Sequence, residues 1–160
     1  MSRNAFEWAW LRFAAPLVPH AVPRPLAHDP QAGLFAMSWL DPADHPVWKR
    51  QLLDGRVNAG TAAAVARVLA TVHNASAHRD DVRAAFDTTP SFHALRLEPY
   101  LAHTATRHAA LAPRLHALIE RTAAHRVALV HGDVSPKNIL VGPGGPVLLD
   151  AECAWYGDPA

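Results

Sequence analysis

Apolar residues recur every three or four positions in some stretches of the chain and crowd into short runs in others, and these two patterns mark its elements. Phe6, Trp10 and Phe13, with Leu11 beside them, suit one face of a helix over residues 4–15, ended by Pro16 and Pro19. Val22–His28 and Leu34–Leu40 are short apolar runs on either side of Asp29-Pro30-Gln31-Ala32-Gly33, which predicts a β-hairpin whose first strand Pro23 and Pro25 confine to an edge. Residues 41–57 read as a loop with a short helical piece near Trp48 and Leu52. Val65, Leu69 and Val72 lie at helical spacing in an alanine-rich background, so a helix is expected from Thr61 to about Ser76.

Residues 78–100 are polar and irregular, with helical pieces at best. A second helix is expected from Pro99 or Ala109 to Ala124, with Leu111, Leu115, Leu118 and Ile119 as its stripe. Val127–Val130 then reads as a buried strand, and Gly132 and Pro136 keep His131 to Asn138 irregular. Ile139–Val141 and Val147–Leu149 are two short β segments around Gly142-Pro143-Gly144-Gly145-Pro146.

Composition narrows the class. Half of the 160 residues are hydrophobic, enough for a core. The formal net charge is +1 and no Lys/Arg run stands out, which argues against a nucleic-acid or membrane-surface partner. The lone Cys153 cannot form an internal disulfide, no apolar run approaches the roughly 20 residues that span a bilayer, and no leader pattern opens the chain. A cytoplasmic location is expected. The histidines include no His-Glu-x-x-His pattern, which leaves a zinc site little support.

Candidate chemistry concentrates in HGDVSPKNIL (131–140) and VLLDAE (147–152). If the hairpin centres on Gly144, Ile139 faces Leu149, Val141 faces Val147, and Asn138 falls opposite Asp150. Facing residues have Cβ atoms about 5 Å apart, close enough for an amide oxygen and a carboxylate to share one hard cation such as Mg²⁺. Asp133, five residues before Asn138, is a third oxygen donor in the same loop.

His131-Gly132-Asp133, with Asn138 five residues after the aspartate and then an apolar strand, resembles the catalytic loop of the aminoglycoside phosphotransferase and choline kinase family. Leu148-Leu149-Asp150-Ala151-Glu152 resembles its metal-binding segment, and Tyr156-Gly157-Asp158-Pro159-Ala160 the stretch leading into its next helix. The resemblance implies an α+β, protein-kinase-like large-lobe core with a remnant small-lobe hairpin and linker. Residues 1–40 would be the small-lobe remnant and linker, and 41–160 an incomplete large lobe. It implies ATP-dependent phosphorylation of a small-molecule hydroxyl, with Asp133 catalytic and Asn138 and Asp150 holding Mg²⁺. Leu34–Leu40 resembles the strand and linker beside adenine, making Met37, Ser38 and Trp39 the expected base neighbours.

Other features depart from that family. Lys49 and Lys137 are the only lysines and both follow the linker, and no glycine precedes Gly33, so the small-lobe lysine and glycine-rich loop are missing. A fragment is therefore expected, transferring little phosphate by itself, with a catalytically inactive binding module as the alternative. Glu7 reads as a solvated helix residue or as the counterpart of the family's helix glutamate. His131, Ser135 and Lys137 read as loop residues, with Ser135 and Lys137 placed where either could approach a phosphate. Trp8, Trp10 and Phe13 are expected to expose apolar surface and favour self-association.

Overall fold

The structure, a computed structural model, describes residues 3–159. It divides into two compact units, one within Met1–Val72 and Asp133–Glu152, the other within His73–Gly132 and Cys153–Ala160.

The first unit is built on helix α1 (Arg3–Ala14). Phe6, Trp10, Leu11 and Ala14 are buried, as their spacing of three to four residues requires of one helical face. Strands β1 (Pro25–Asp29) and β2 (Leu34–Met37) form the expected antiparallel hairpin, with His28 opposite Phe35 and an irregularity between Pro25 and Ala27. Trp8 stacks on His28 with ring centroids 5.1 Å apart, so α1 lies against this hairpin. Helix α2 (Trp48–Leu53) follows, and then helix α3 (Ala59–Ser76), which buries Val65 and Val72 and belongs to this unit as far as Val72. Strands β4 (Ile139–Gly142) and β5 (Gly145–Leu148), described below with the candidate site, return to this unit. The Leu148 N–H donates to the Ala21 carbonyl at 2.8 Å and the Val141 N–H to that of Pro46 at 2.9 Å, which ties the hairpin to the loops on either side of β1 and β2.

The second unit is more helical than its sequence suggests. The irregular, polar stretch contains helices α4 (Asp80–Ala85) and α5 (Thr89–Phe92), then a π-helical segment (His93–Ala102) that runs into α6 (His103–Arg107). Pro99 lies within the wider π turn instead of starting a helix. The proline lacks an N–H, and the wider turn accommodates that loss of an α-helical bond. Helix α7 (Ala112–Ala124) carries the expected stripe, but none of its residues is buried: Leu111, Leu115 and Leu118 line an open cleft of about 600 Å³ with Arg114 and Arg121.

Strand β3 (Ala128–Val130) pairs antiparallel with β6 (Trp155–Gly157), Leu129 opposite Tyr156. Ser76, fully buried at the end of α3, accepts the Leu129 N–H at 2.9 Å, and its carbonyl accepts the Tyr156 hydroxyl at 3.2 Å. Trp155 stacks on Phe92 at 4.3 Å and donates its indole N–H to Thr89 at 3.0 Å. Among the described residues no helix is long and apolar enough to cross a membrane.

The expectation that Trp8, Trp10 and Phe13 expose apolar surface is overturned for Trp10. Trp10 is 0% exposed, while Trp8, stacked on His28, and Phe13 are half-buried. Apolar exposure falls instead on Leu34, Trp39, Leu53 and Val57. Trp10→Ala should therefore cost about 3–5 kcal/mol in urea denaturation, the range for emptying a buried aromatic site. Trp39→Ala, at a side chain 81% exposed, should stay within about 0.5 kcal/mol of the parent.

Candidate functional site

The hairpin that carries the candidate cation ligands closes one residue tighter than the sequence suggests. Ile139 faces Leu148, Leu140 faces Val147 and Gly142 faces Gly145, leaving Pro143 and Gly144 as a two-residue turn. Proline suits the first corner with its fixed φ, and Gly145 takes φ +112, a value a residue with Cβ rarely adopts. Asn138 is consequently bonded to Leu149, whose N–H donates to the Asn138 carbonyl at 2.9 Å, and not to Asp150. The expected Asn138–Asp150 pairing is corrected by that one position. Asp150 follows the pair and leaves the strand alternation altogether, with φ +65. Both residues thus stand at the open end of the same hairpin.

The Gly132 end of the preceding loop is anchored within the second unit. Gly132 has φ +81, and a Cβ there would collide with the carbonyl of Cys153, the residue two positions before β6. Arg96, on the π-helical segment, donates to the Gly132 carbonyl at 2.6 Å. His131 is buried, in keeping with a structural role. In the first unit the 3₁₀ turn Pro136–Asn138 folds the loop back on itself. The Asn138 amide donates to the Asp133 carboxylate at 2.9 Å, and Lys137 lies 3.1 Å from the same carboxylate oxygen. Asp133, Lys137 and Asn138 form one bonded cluster.

Asn138 uses its amide nitrogen on Asp133, which leaves its side-chain oxygen, a hard acceptor atom, turned from that bond. Asp150 donates its backbone N–H to Glu7 Oε1 at 3.2 Å, while its carboxylate makes no hydrogen bond or ion pair with a described side chain. Glu7 is half-buried, not a solvated helix residue. Burial first, and then the charges of Asp150 and Glu152, push its carboxyl above the ordinary carboxylate range, and the Asp150 N–H only partly offsets this. Glu152 lies 3.7 Å from Arg3. An oxygen-only donor set with an unpaired carboxylate and like-charged neighbours fits a hard divalent cation. Among the described residues no three His, Cys, Asp or Glu side chains cluster as ligands. A cation here would draw on the Asn138 amide oxygen, Asp150, and oxygens of water or phosphate.

The candidate base neighbours are not gathered at one place. Ser38 lines a cleft of about 280 Å³ with Arg24, Leu40, Gly144 and Gly145, at the turn end of the hairpin. Met37 and Trp39 are exposed and do not line that cleft. The Ser38 N–H donates to the Arg24 carbonyl and its hydroxyl accepts the Arg24 N–H, both at 2.9 Å. Sequence reasoning gave little weight to Glu7 and Lys137. The i,i+4 spacing of Lys137 after Asp133 flags the one, whereas nothing local flags a contact spanning 143 residues.

A mixed helix and strand chain with this loop, hairpin and left-handed aspartate has the protein-kinase-like phosphotransferase fold. Residues 2–160 match the model of the APH phosphotransferase enzyme family, and the chain belongs to that family. The crystal structure of choline kinase LicA from Streptococcus pneumoniae is similar in fold, with a TM-score of 0.57 at 17% sequence identity. The match covers 98% of this chain and 54% of the choline kinase, so the chain spans about half the length of that relative. No curated protein gives a significant sequence match.

The raised Glu7 pKa has a direct consequence. The folded state holds the Glu7 proton more tightly than the unfolded chain, so this residue disfavours folding once both forms are ionised. Stability present at low pH is lost as pH rises from the ordinary glutamate value through the raised one. Glu7→Gln should therefore raise the urea midpoint at pH 7, and the gain should vanish below the ordinary carboxylate range.

Proposed function

We propose that this chain carries the catalytic loop and metal-binding hairpin of an ATP- and Mg²⁺-dependent kinase that phosphorylates a hydroxyl on a small molecule. The observation that supports it is the bonded Asp133–Asn138 pair, with the unpaired Asp150 carboxylate on the same hairpin. Residues 1–40 are then the small-lobe portion and linker, and 41–160 the large-lobe portion. Met37, Ser38 and Trp39 lie toward adenine, and the nucleotide runs along the hairpin from turn to open end. Strands of four residues span roughly 13 Å, so the phosphates would reach Asn138 and Asp150.

In this reading Asp133 accepts a hydrogen bond from the acceptor hydroxyl and takes its proton as phosphoryl transfer proceeds. Asn138 holds the Asp133 carboxylate in place through its amide nitrogen while offering its oxygen to the cation. Lys137, 3.1 Å from the Asp133 carboxylate, supplies positive charge beside the transferring group. When bound, Mg²⁺ neutralises phosphate charge. Positioning and electrostatics provide most of what such reactions need from protein.

Calorimetry with ADP and Mg²⁺, and an assay of ATP consumption against a panel of hydroxyl acceptors that includes choline, test this reading. ADP should bind only with Mg²⁺, and Asp150→Ala should abolish the binding. Asp133→Asn should bind ADP normally, and in a version of the chain extended at both ends it should lower acceptor-dependent turnover by at least about 100-fold, the lower range for loss of a general base. Binding without turnover under any acceptor would identify an inactive nucleotide-binding module, and ATP consumption without an acceptor would indicate hydrolysis. ADP binding that survives EDTA and Asp150→Ala would contradict the reading.

A further inference from the structure

Asp150 occupies a conformation that β5 does not impose. Its φ of +65 is shared, among described residues other than glycine, by His78 alone. Aspartate tolerates the left-handed region better than most residues, but a lasting left-handed turn needs a contact that selects it. The contact present is Glu7 Oε1, which accepts the Asp150 N–H at 3.2 Å from a helix 143 residues away in sequence. Glu7 sits between Phe6 and the buried pair Trp10 and Leu11, so the packing of α1 fixes where its carboxylate points.

We propose that Glu7 is a positioning residue for the cation site: from α1 it holds the Asp150 backbone N–H, and thereby the left-handed turn that presents the Asp150 carboxylate to a divalent cation. The inference rests on the assignment of Asp150 as a cation ligand and adds a residue to it. Glu7 does not touch the nucleotide or the cation in this role. It acts through the orientation of Asp150, as outer partners of metal ligands commonly do.

The test uses Mn²⁺ as the probe, its free concentration followed by electron paramagnetic resonance, with urea midpoints measured in parallel on the full chain. Asp150→Ala should lose Mn²⁺ binding. Glu7→Ala should weaken it by about 10- to 100-fold, the range for removing a partner that orients a metal ligand, without lowering the urea midpoint. Glu7→Gln keeps an acceptor oxygen for the Asp150 N–H and should recover at least half of that loss on a logarithmic scale. If Glu7→Ala does not fold, Glu7→Met removes the acceptor while keeping length and helix propensity, and should show the same loss.

The positioning role alone falls if Asp150→Ala abolishes binding while the acceptor-free variant stays within about twofold of the parent. It also falls if Glu7→Gln is as weak as the acceptor-free variant, because charge would then account for the whole effect. Mn²⁺ binding undiminished by Asp150→Ala would overturn the cation site itself, and the role of Glu7 with it.

Discussion

The tight closure of the β4–β5 hairpin is the constraint on which the candidate site depends. Because the turn holds only Pro143 and Gly144, the ladder ends with the bond from Leu149 to Asn138, and Asp150 is the first residue released from it. A residue still in the ladder would point to a face dictated by strand alternation. Released from the ladder, Asp150 takes its direction from a left-handed turn and from Glu7. Asn138 stays buried at the same end with its side chain fixed on Asp133. One ligand candidate is thus set by the sheet and the other by a helix.

That division gives the first unit a logic that ties its core to its chemistry. Phe6, Trp10, Leu11 and Ala14 bury one face of α1. Glu7 rides on that helix, and its distance from Asp150 is set by how the apolar face packs. Interiors are close-packed and respond in steps instead of yielding smoothly. A shift of α1 large enough to break the Glu7 bond would therefore leave Asp150 without the contact that selects its backbone conformation.

Much of this was legible in the residues. The helical spacing of Phe6 and Trp10, the alanine-rich run of α3, and the paired apolar segments around Pro143-Gly144 each predict the element found. The loop carrying His131, Gly132, Asp133 and Asn138 points to the family to which the chain belongs. The register failed by one residue because two-residue and three-residue turns are equally compatible with Gly-Pro-Gly-Gly, and only the closed ladder decides between them. The π-helical segment stayed hidden because Pro99 reads as a boundary whenever an α-helical bond pattern is assumed. Trp10 looked exposed because its expected cover was a larger sheet, whereas it is fully buried without one. Glu7 was undervalued for a different reason: its partner is a backbone N–H far along the chain, and composition carries no trace of such a bond.

Paramagnetic broadening by Mn²⁺ in nitrogen–proton spectra of the labelled chain reports most directly whether the open end of the hairpin holds a cation. At substoichiometric Mn²⁺ the amide signals of Asn138, Leu149 and Asp150 should disappear first, together with the Asn138 side-chain amide. Signals of Gly144 and Gly145 at the turn end, roughly 13 Å along the strands, should broaden later. Broadening that begins at the exposed acidic pair Asp80 and Asp81, or that spreads evenly over the chain while Asn138 and Asp150 stay sharp, would contradict a cation site at this hairpin.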